Sequence, residues 1–473
     1  MSSRSIEFGD FQTPIELAEE VTRFLVAQGL RPDVLVEPTC GLGNFVTAAL
    51  ADFPSINEVY AFDLNQQYVS QVKQKLGKNT RNYVKQQNFF SFDWKEFFDG
   101  LAGDVLVVGN PPWVTNSTLG ALGSENLPEK TNFQNHVGFA AKTGKANFDI
   151  SEWILIKLLE AAGKHSVTLA MLCKTATARK VLRHCWLNRL PVGGCATYSI
   201  DAGKSFGVAV DACLLYVKTG VRNSPHAADV YTGISVRRKV STIGIVGKDL
   251  VSDVDAYRKL HELEGHSQYK WRSGIKHDAA SIMELTRNSR SFVNGLGDHV
   301  KIEDASVFPL LKSSDLANDR MSPDRFVIVT QRSPKDDTSQ MEESAPLTWH
   351  YLCAHSTALD ARRSIVYQNR PRFSIFGIGP YAFSPWKIAI SGLYKNLAFR
   401  IVPPVNGKPA MVDDTCYFIS CGTHAEARLL HTILSSDISQ RFLRALVFPD
   451  AKRPITVDVL NRLDLLRIAG RLG

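Results

Sequence analysis

The chain has 473 residues, 44% hydrophobic and 22% charged, which is too long for one typical domain and ordinary for a folded globular protein, so extended disorder is excluded. Lys and Arg total 55 against 47 Asp and Glu, and the net charge of +8 suits a polyanionic partner without requiring one. The eight cysteines include no CxxC pair and no Cys/His cluster at zinc-finger spacing; with no basic-then-apolar leader and no apolar run of the roughly 18 residues that span a bilayer, the expectation is a cytoplasmic protein with reduced thiols and no membrane association.

PIELAEEVTRFLVAQ (14–28) is apolar at i, i+3, i+4 spacing and predicts the first helix. Strands follow at VLVEP (34–38), VYAFD (59–63) and VLVVG (105–109), then a helix at SEWILIKLLEAAG (151–163) and strands at VTLAMLC (167–173) and ACLLYVK (212–218). This alternation predicts an α/β fold with a mostly parallel, doubly wound sheet. The rhythm stops near TGVRNSPHAAD (219–229). Beyond it come WRSGIKHD (271–278) and a Pro- and Arg-rich region with short strand-like runs at FVIVTQR (326–332), SIVYQNRPRFSIFG (364–377) and AFRIVPP (398–404).

Three stretches carry chemistry. VLVEPTCGLGNF (34–45) is a strand, an acidic residue and a glycine-containing turn entering a helix, where backbone N–H groups and the helix dipole can meet a ligand. It is not a dinucleotide GxGxxG. VYAFDLN ends the second strand with Asp63, whose carboxylate could accept both hydroxyls of a ribose. VVGNPPW (107–113) leaves a buried strand through two prolines, which fix φ and offer no N–H, so a rigid non-helical loop is expected at the carboxyl end of that strand, the edge where open α/β sheets bind ligands. Each stretch alone fits any Rossmann-like protein.

In order, FGDFQTP (8–14), EPTCGLG, AFD, NFFSFD (88–93) and GNPPW resemble the gamma-class S-adenosylmethionine-dependent adenine-N6 DNA methyltransferases, which carry their cofactor motifs and NPP[YFW] ahead of a C-terminal target recognition domain. The resemblance covers residues 1–220 and extends more loosely beyond. It implies a Rossmann-like catalytic domain over 1–235, a connector over 236–290 and a mixed α+β target recognition domain over 291–473. The implied activity is methyl transfer from S-adenosylmethionine to an adenine flipped out of double-stranded DNA, in a restriction-modification or related defence system.

The resemblance also assigns residues. Phe11, Thr13 and Pro14 would lie beside the methionine end of the cofactor, Glu37 would face its ammonium with Pro38, Gly41 and Gly43 in the same motif, and Asp63 with Leu64 would meet the ribose. Asn88 and Phe89 would meet the adenine where the family usually has Asp and Phe, with Asp93 as the alternative acceptor. Asn110 Oδ1 and the Pro111 carbonyl would accept from the target amine, Pro112 would keep the loop rigid, and Trp113 would stack on the base, with Phe206 as the second face. Asn147 and Phe148 in GKANFDISEW (144–153) match a motif near the cofactor. Arg287, Arg290, Arg332, Arg362, Arg363 and Lys387 give the C-terminal region the look of a duplex reader, and Arg370 and Arg372, flanking Pro371, lead the candidates for DNA contact. No metal is expected. No nuclease-like region is visible, so a restriction endonuclease or defence subunit would be a separate chain. The same loop occurs in enzymes that methylate ribosomal RNA adenine or a release-factor glutamine, and a subunit that holds cofactor and DNA without turnover is the non-enzymatic alternative.

Overall fold

Alternating apolar strands and amphipathic helices build the first half of the chain. In chain order these are α1 (Ile15–Ala27), β1 (Val34–Glu37), α2 (Asn44–Asp52), β2 (Glu58–Asp63), α3 (Gln66–Leu76), β3 (Asn82–Gln86), α4 (Trp94–Asp99) and β4 (Val105–Gly109). They continue with α5 (Ile150–Ala162), β5 (Val167–Lys174), α6 (Thr175–Leu187), β6 (Val192–Ile200), α7 (Ala202–Phe206), β7 (Ala212–Thr219), β8 (Ala227–Tyr231), β9 (Lys239–Val246) and β10 (Asp249–Val251). The computed structural model describes residues 12–77, 81–114, 149–288 and 291–472. They fall into two compact units, Met1–Asp255 and Ala256–Gly473.

The first unit is one ten-stranded sheet in the order β10-β9-β8-β6-β7-β5-β4-β1-β2-β3. β1 pairs in parallel with β2 and β4, and β4 in parallel with β5, while β7 runs antiparallel between β5 and β6. Every residue of β1 and β4 is buried, as parallel strands covered on both faces require. Strand order reverses between β1 and β4, so their carboxyl ends open the crevice that such sheets use for ligands. Beyond the strands expected from the sequence, β8 pairs in parallel with β6, while β9 runs antiparallel to β8 and β10 antiparallel to β9. β9 and β10 lie within the stretch 236–290, and β9 is exposed at its start and only partly buried beyond its middle, which is why the apolar signal fades there.

The second unit holds two sheets. The strands are β11 (Arg272–Ser273), β12 (Glu284–Asn288), β13 (Ser291–Asn294), β14 (His299–Val300), β15 (Val307–Leu311), β16 (Arg325–Ile328), β17 (Trp386–Ser391), β18 (Arg400–Val402), β19 (Met411–Val412) and β20 (Cys416–Cys421). The sheet orders are β11-β20-β17-β18 and β14-β13-β12-β16-β15-β19. The run 364–377 is not a strand: it holds a 3-10 turn at Ile365–Tyr367 and then bends, because Pro371 has no N–H for a ladder and Asn369 and Phe373 sit at φ 58° and 63°. All eight cysteines are free and all but Cys353 are buried. Among the described residues no helix is long and apolar enough to cross a membrane.

Candidate active site at the carboxyl edge of the sheet

The turn from β1 into α2 is built by its main chain. Gly43 begins α2 at φ 73°, and a Cβ there would lie 2.7 Å from a Val72 methyl, so both backbone and space require glycine. Asp63, the last residue of β2, accepts the Gly41 N–H at 2.8 Å through one oxygen and the Asn65 N–H at 2.8 Å through the other. Leu64, half-buried beside it, accepts from the Gln86 amide at 2.9 Å. The segment before α1 seats on the same turn: Gln12 Oε1 accepts the Leu42 N–H at 2.9 Å, and the Thr13 carbonyl accepts from Asn44 Nδ2 at 2.8 Å, bringing Thr13 and Pro14 to Gly41 and Gly43.

Glu37 ends β1 fully enclosed and accepts the Val46 N–H at 3.2 Å. Burial pushes its carboxyl well above the usual carboxylate range, against the lowering effect of the Val46 N–H, and the nearby Asp63 adds to the rise. Beside it Pro38 is buried, and the Thr39 hydroxyl is enclosed with no hydrogen-bond partner among the described residues. Burial also pushes the Cys40 thiol far up, so it stays protonated and is no nucleophile.

At the end of β3, Asn88 caps the turn Phe89–Ser91 by accepting the Phe90 N–H at 2.9 Å, which leaves its oxygen one further lone pair. Phe89 is buried against Trp94 (4.7 Å between centroids) and Trp153 (5.9 Å). Asp93 is exposed and caps α4, accepting the Glu96 N–H at 2.9 Å, so its local work is helix capping. Trp153, on the first turn of α5 and 5.1 Å from Phe90, extends this aromatic wall, and sequence reading passed over it because a Trp at helical spacing reads as core.

The chain leaves β4 through Gly109 at φ 154°, a backbone angle side chains rarely adopt, and a Cβ there would sit 3.5 Å from Glu37 Cγ. NPPW therefore starts directly beside Glu37. Asn110 Oδ1 is enclosed, Pro111 and Trp113 are buried and Pro112 is half-buried. Trp113 and Phe206 are brought together, but edge to face, 5.2 Å between centroids and 70° between planes. A base between them needs about 3.5 Å on each face, so the rings must part to admit one. Sequence reading also missed two neighbours of the loop: Lys174 at the end of β5, which donates to the Trp113 carbonyl at 2.8 Å, and Asp149, which pairs with Lys174 at 2.6 Å. A terminal lysine on a strand of the carboxyl edge was the available signal. Phe11, Asn147, Phe148 and Arg290 lie outside the described residues.

In the second unit Arg370 and Arg372 are exposed, Arg370 donating to the Pro334 carbonyl at 3.4 Å and Arg372 pairing with Asp360 at 2.7 Å. Arg287, Arg332 and Arg363 are also exposed. Two others depart from the expectation of a basic surface. Lys387 is 1% exposed, donates to the Ser384 carbonyl at 2.9 Å and has its pKa lowered to about 7 by burial, because β17 is a central strand buried nearly throughout. Arg362 is half-buried and spent on the carbonyls of Leu359, His277 and Ser374.

No protein-family model matches the chain. It is 45% identical over 464 residues to the type II methyltransferase M.NspV of Nostoc sp. (strain ATCC 29411 / PCC 7524), covering 97% of this chain and 96% of that relative. Among solved structures, the type IIL restriction-modification enzyme MmeI in complex with DNA matches in fold with a TM-score of 0.58 at 13% identity, over 94% of this chain; the chain spans 64% of the length of MmeI. A sheet that reverses at β1 and β4, with an acidic residue closing β1 and another closing β2, is that of a Rossmann-like methyltransferase. The chain belongs to the type II methyltransferases of restriction-modification systems. Its methyl donor is S-adenosylmethionine. The residues fit that donor: the enclosed Glu37 carboxylate wants a cation such as an amino-acid ammonium, the Asp63 carboxylate closes β2 beside the Gly41 turn, and the Thr39 hydroxyl stands enclosed on the turn.

Proposed function

We propose that the chain is a site-specific DNA methyltransferase of the gamma class that methylates N6 of an adenine flipped out of duplex DNA. The observation that carries this reading is the exit of Asn110-Pro111-Pro112-Trp113 from β4 against Glu37 at the switch point of the sheet. Glu37, with Pro38, Gly41 and Gly43, holds the methionine end of the donor beside Thr13 and Pro14, Asp63 with Leu64 holds the ribose, and Asn88 with Phe89 holds the adenine. When bound, S-adenosylmethionine supplies an electrophilic methyl group on a sulfonium.

Adenine N6 is a poor nucleophile because its lone pair is delocalised into the ring. Two acceptors on its protons localise that pair, and Asn110 Oδ1 with the Pro111 carbonyl are the acceptors, aimed where positive charge develops. Trp113 and Phe206 part to stack on the base, and their contact with its faces offsets the few kcal/mol needed to flip it. The first unit, Met1–Asp255, performs transfer, and the second, Ala256–Gly473, selects the site, with Arg370 and Arg372 contacting DNA. Any restriction endonuclease acts from a separate chain.

The test is incubation of the chain with labelled donor and duplex DNA, followed by nucleoside analysis. N6-methyladenine in duplex DNA, lost in Asn110→Ala, is the expected result; label in RNA alone, in another base, or none at all overturns the reading.

A further inference from the structure

We propose that Lys174 and Asp149 are positioning residues that fix the far end of the NPPW loop, an inference that rests on reading that loop as the acceptor of the amine protons. β4 anchors the near end through its pairing with β1 and β5. Within the loop Pro111 and Pro112 stiffen the chain yet have no N–H to donate. Lys174 supplies what is missing. It closes β5, the strand beside β4, and its ammonium reaches the Trp113 carbonyl at 2.8 Å and Asp149 Oδ2 at 2.6 Å.

Asp149 is itself immobilised, its other oxygen accepting from the Ser151 N–H at 3.1 Å and from the Ser151 hydroxyl, as the cap of α5. The next residue, Ile150, donates its N–H to the Val114 carbonyl at 2.8 Å, so the same helix start holds the residue after Trp113. The Asp149 side chain is 9% exposed and that of Lys174 26%, a degree of enclosure at which either charge alone would be unfavourable. Paired, they form a rigid bracket across the open end of the loop. Their effect is on where the Pro111 carbonyl and Asn110 Oδ1 point, and a displacement of such groups by about 1 Å lowers a transfer rate by about a hundredfold.

Single-turnover methyl transfer and donor binding are measured on the full chain for Lys174→Met, Lys174→Arg, Asp149→Asn and Asn110→Ala. Lys174→Met is expected to lower the transfer rate about a hundredfold while the dissociation constant of the donor moves less than about threefold, a split that general loosening of the fold would not give. Lys174→Arg keeps the charge and N–H donors and should recover at least about tenfold of that loss, and Asp149→Asn should lose about tenfold. An inactive Asn110→Ala beside a Lys174→Met that transfers within about threefold of the native rate overturns the bracket and leaves the loop reading standing. An active Asn110→Ala overturns the loop reading and the bracket with it. If melting shows that Lys174→Met does not fold, Asp149→Asn decides: a native rate overturns the proposal, and a loss with unchanged donor binding upholds it.

Discussion

The carboxyl edge of the large sheet and the arginine loop of the second unit are held in opposite ways. Around Glu37 and Asp63 the contacts are mainly to backbone: amides of Gly41, Val46 and Asn65 on carboxylates, and a glycine at φ 73° where nothing else fits. Arg370 and Arg372 stand exposed, and Arg372 is tied to Asp360 by a surface pair of the kind worth at most about 1 kcal/mol. A site made from main chain tolerates little change in sequence, whereas a loop of exposed side chains can exchange them with little effect on folding. On the proposed reading, chemistry is fixed in the first unit and recognition is free to vary in the second.

The sharpest way to break that contrast is Asn110→Ala. Loss of an acceptor that matters as charge develops should lower single-turnover methylation by about a thousandfold with donor and DNA binding nearly unchanged, measured by rapid quench and titration. A smaller loss in rate than in DNA affinity would place Asn110 in recognition instead.

Glu37→Gln comes next. It should weaken donor binding by about tenfold or more, since a charge-assisted contact is lost, yet raise the melting temperature of the donor-free protein at neutral pH. The sign follows from the raised folded-state pKa: the folded protein holds a proton that the unfolded chain releases near its ordinary value, so the native protein loses stability as pH rises through that window, and the glutamine variant does not. The two melting curves should converge below the ordinary carboxylate range, where both states hold the proton, and donor affinity of the native protein should fall at a higher pH than that, as pH drops through the raised folded-state pKa of Glu37.

Gly43→Ala probes the backbone itself. A side chain at φ 73° against Val72 should destabilise the first unit by about 1–3 kcal/mol in denaturant titration and weaken donor binding with it. In the second unit the effects should be smaller and of another kind. Arg370→Ala or Arg372→Ala should leave stability and donor binding unchanged and weaken DNA binding by about 1–3 kcal/mol, relaxing preference at one position if the residue reads a base edge, or weakening all sequences alike if it meets phosphate; sequencing of methylated sites separates the two.

Much of this was legible from sequence where a residue type answers to a single physical demand. VLV (34–36) and VLVVG are unbroken apolar runs because their strands are covered on both faces. The glycine turn and NPPW loop are legible because main-chain geometry there admits few residues. β8 to β10 escaped notice because these partly exposed strands carry neither a continuous apolar run nor a clean alternation, and 364–377 read as a strand because its apolar spacing hides the left-handed turns at Asn369 and Phe373. Lys387 looked like one more surface cation, since charge alone does not reveal that a strand is central. Lys174 and Trp113 are 61 residues apart, and no local pattern foretells their meeting.

The edge-to-face contact of Trp113 with Phe206 has a bearing on which base is accepted. On the proposed reading these rings must part, so an incoming base must first replace a contact worth about 0.5–1.5 kcal/mol. A purine, with its broader face, returns more of that contact than a pyrimidine does. On that reading the closed pair gauges ring size before any hydrogen bond is tried.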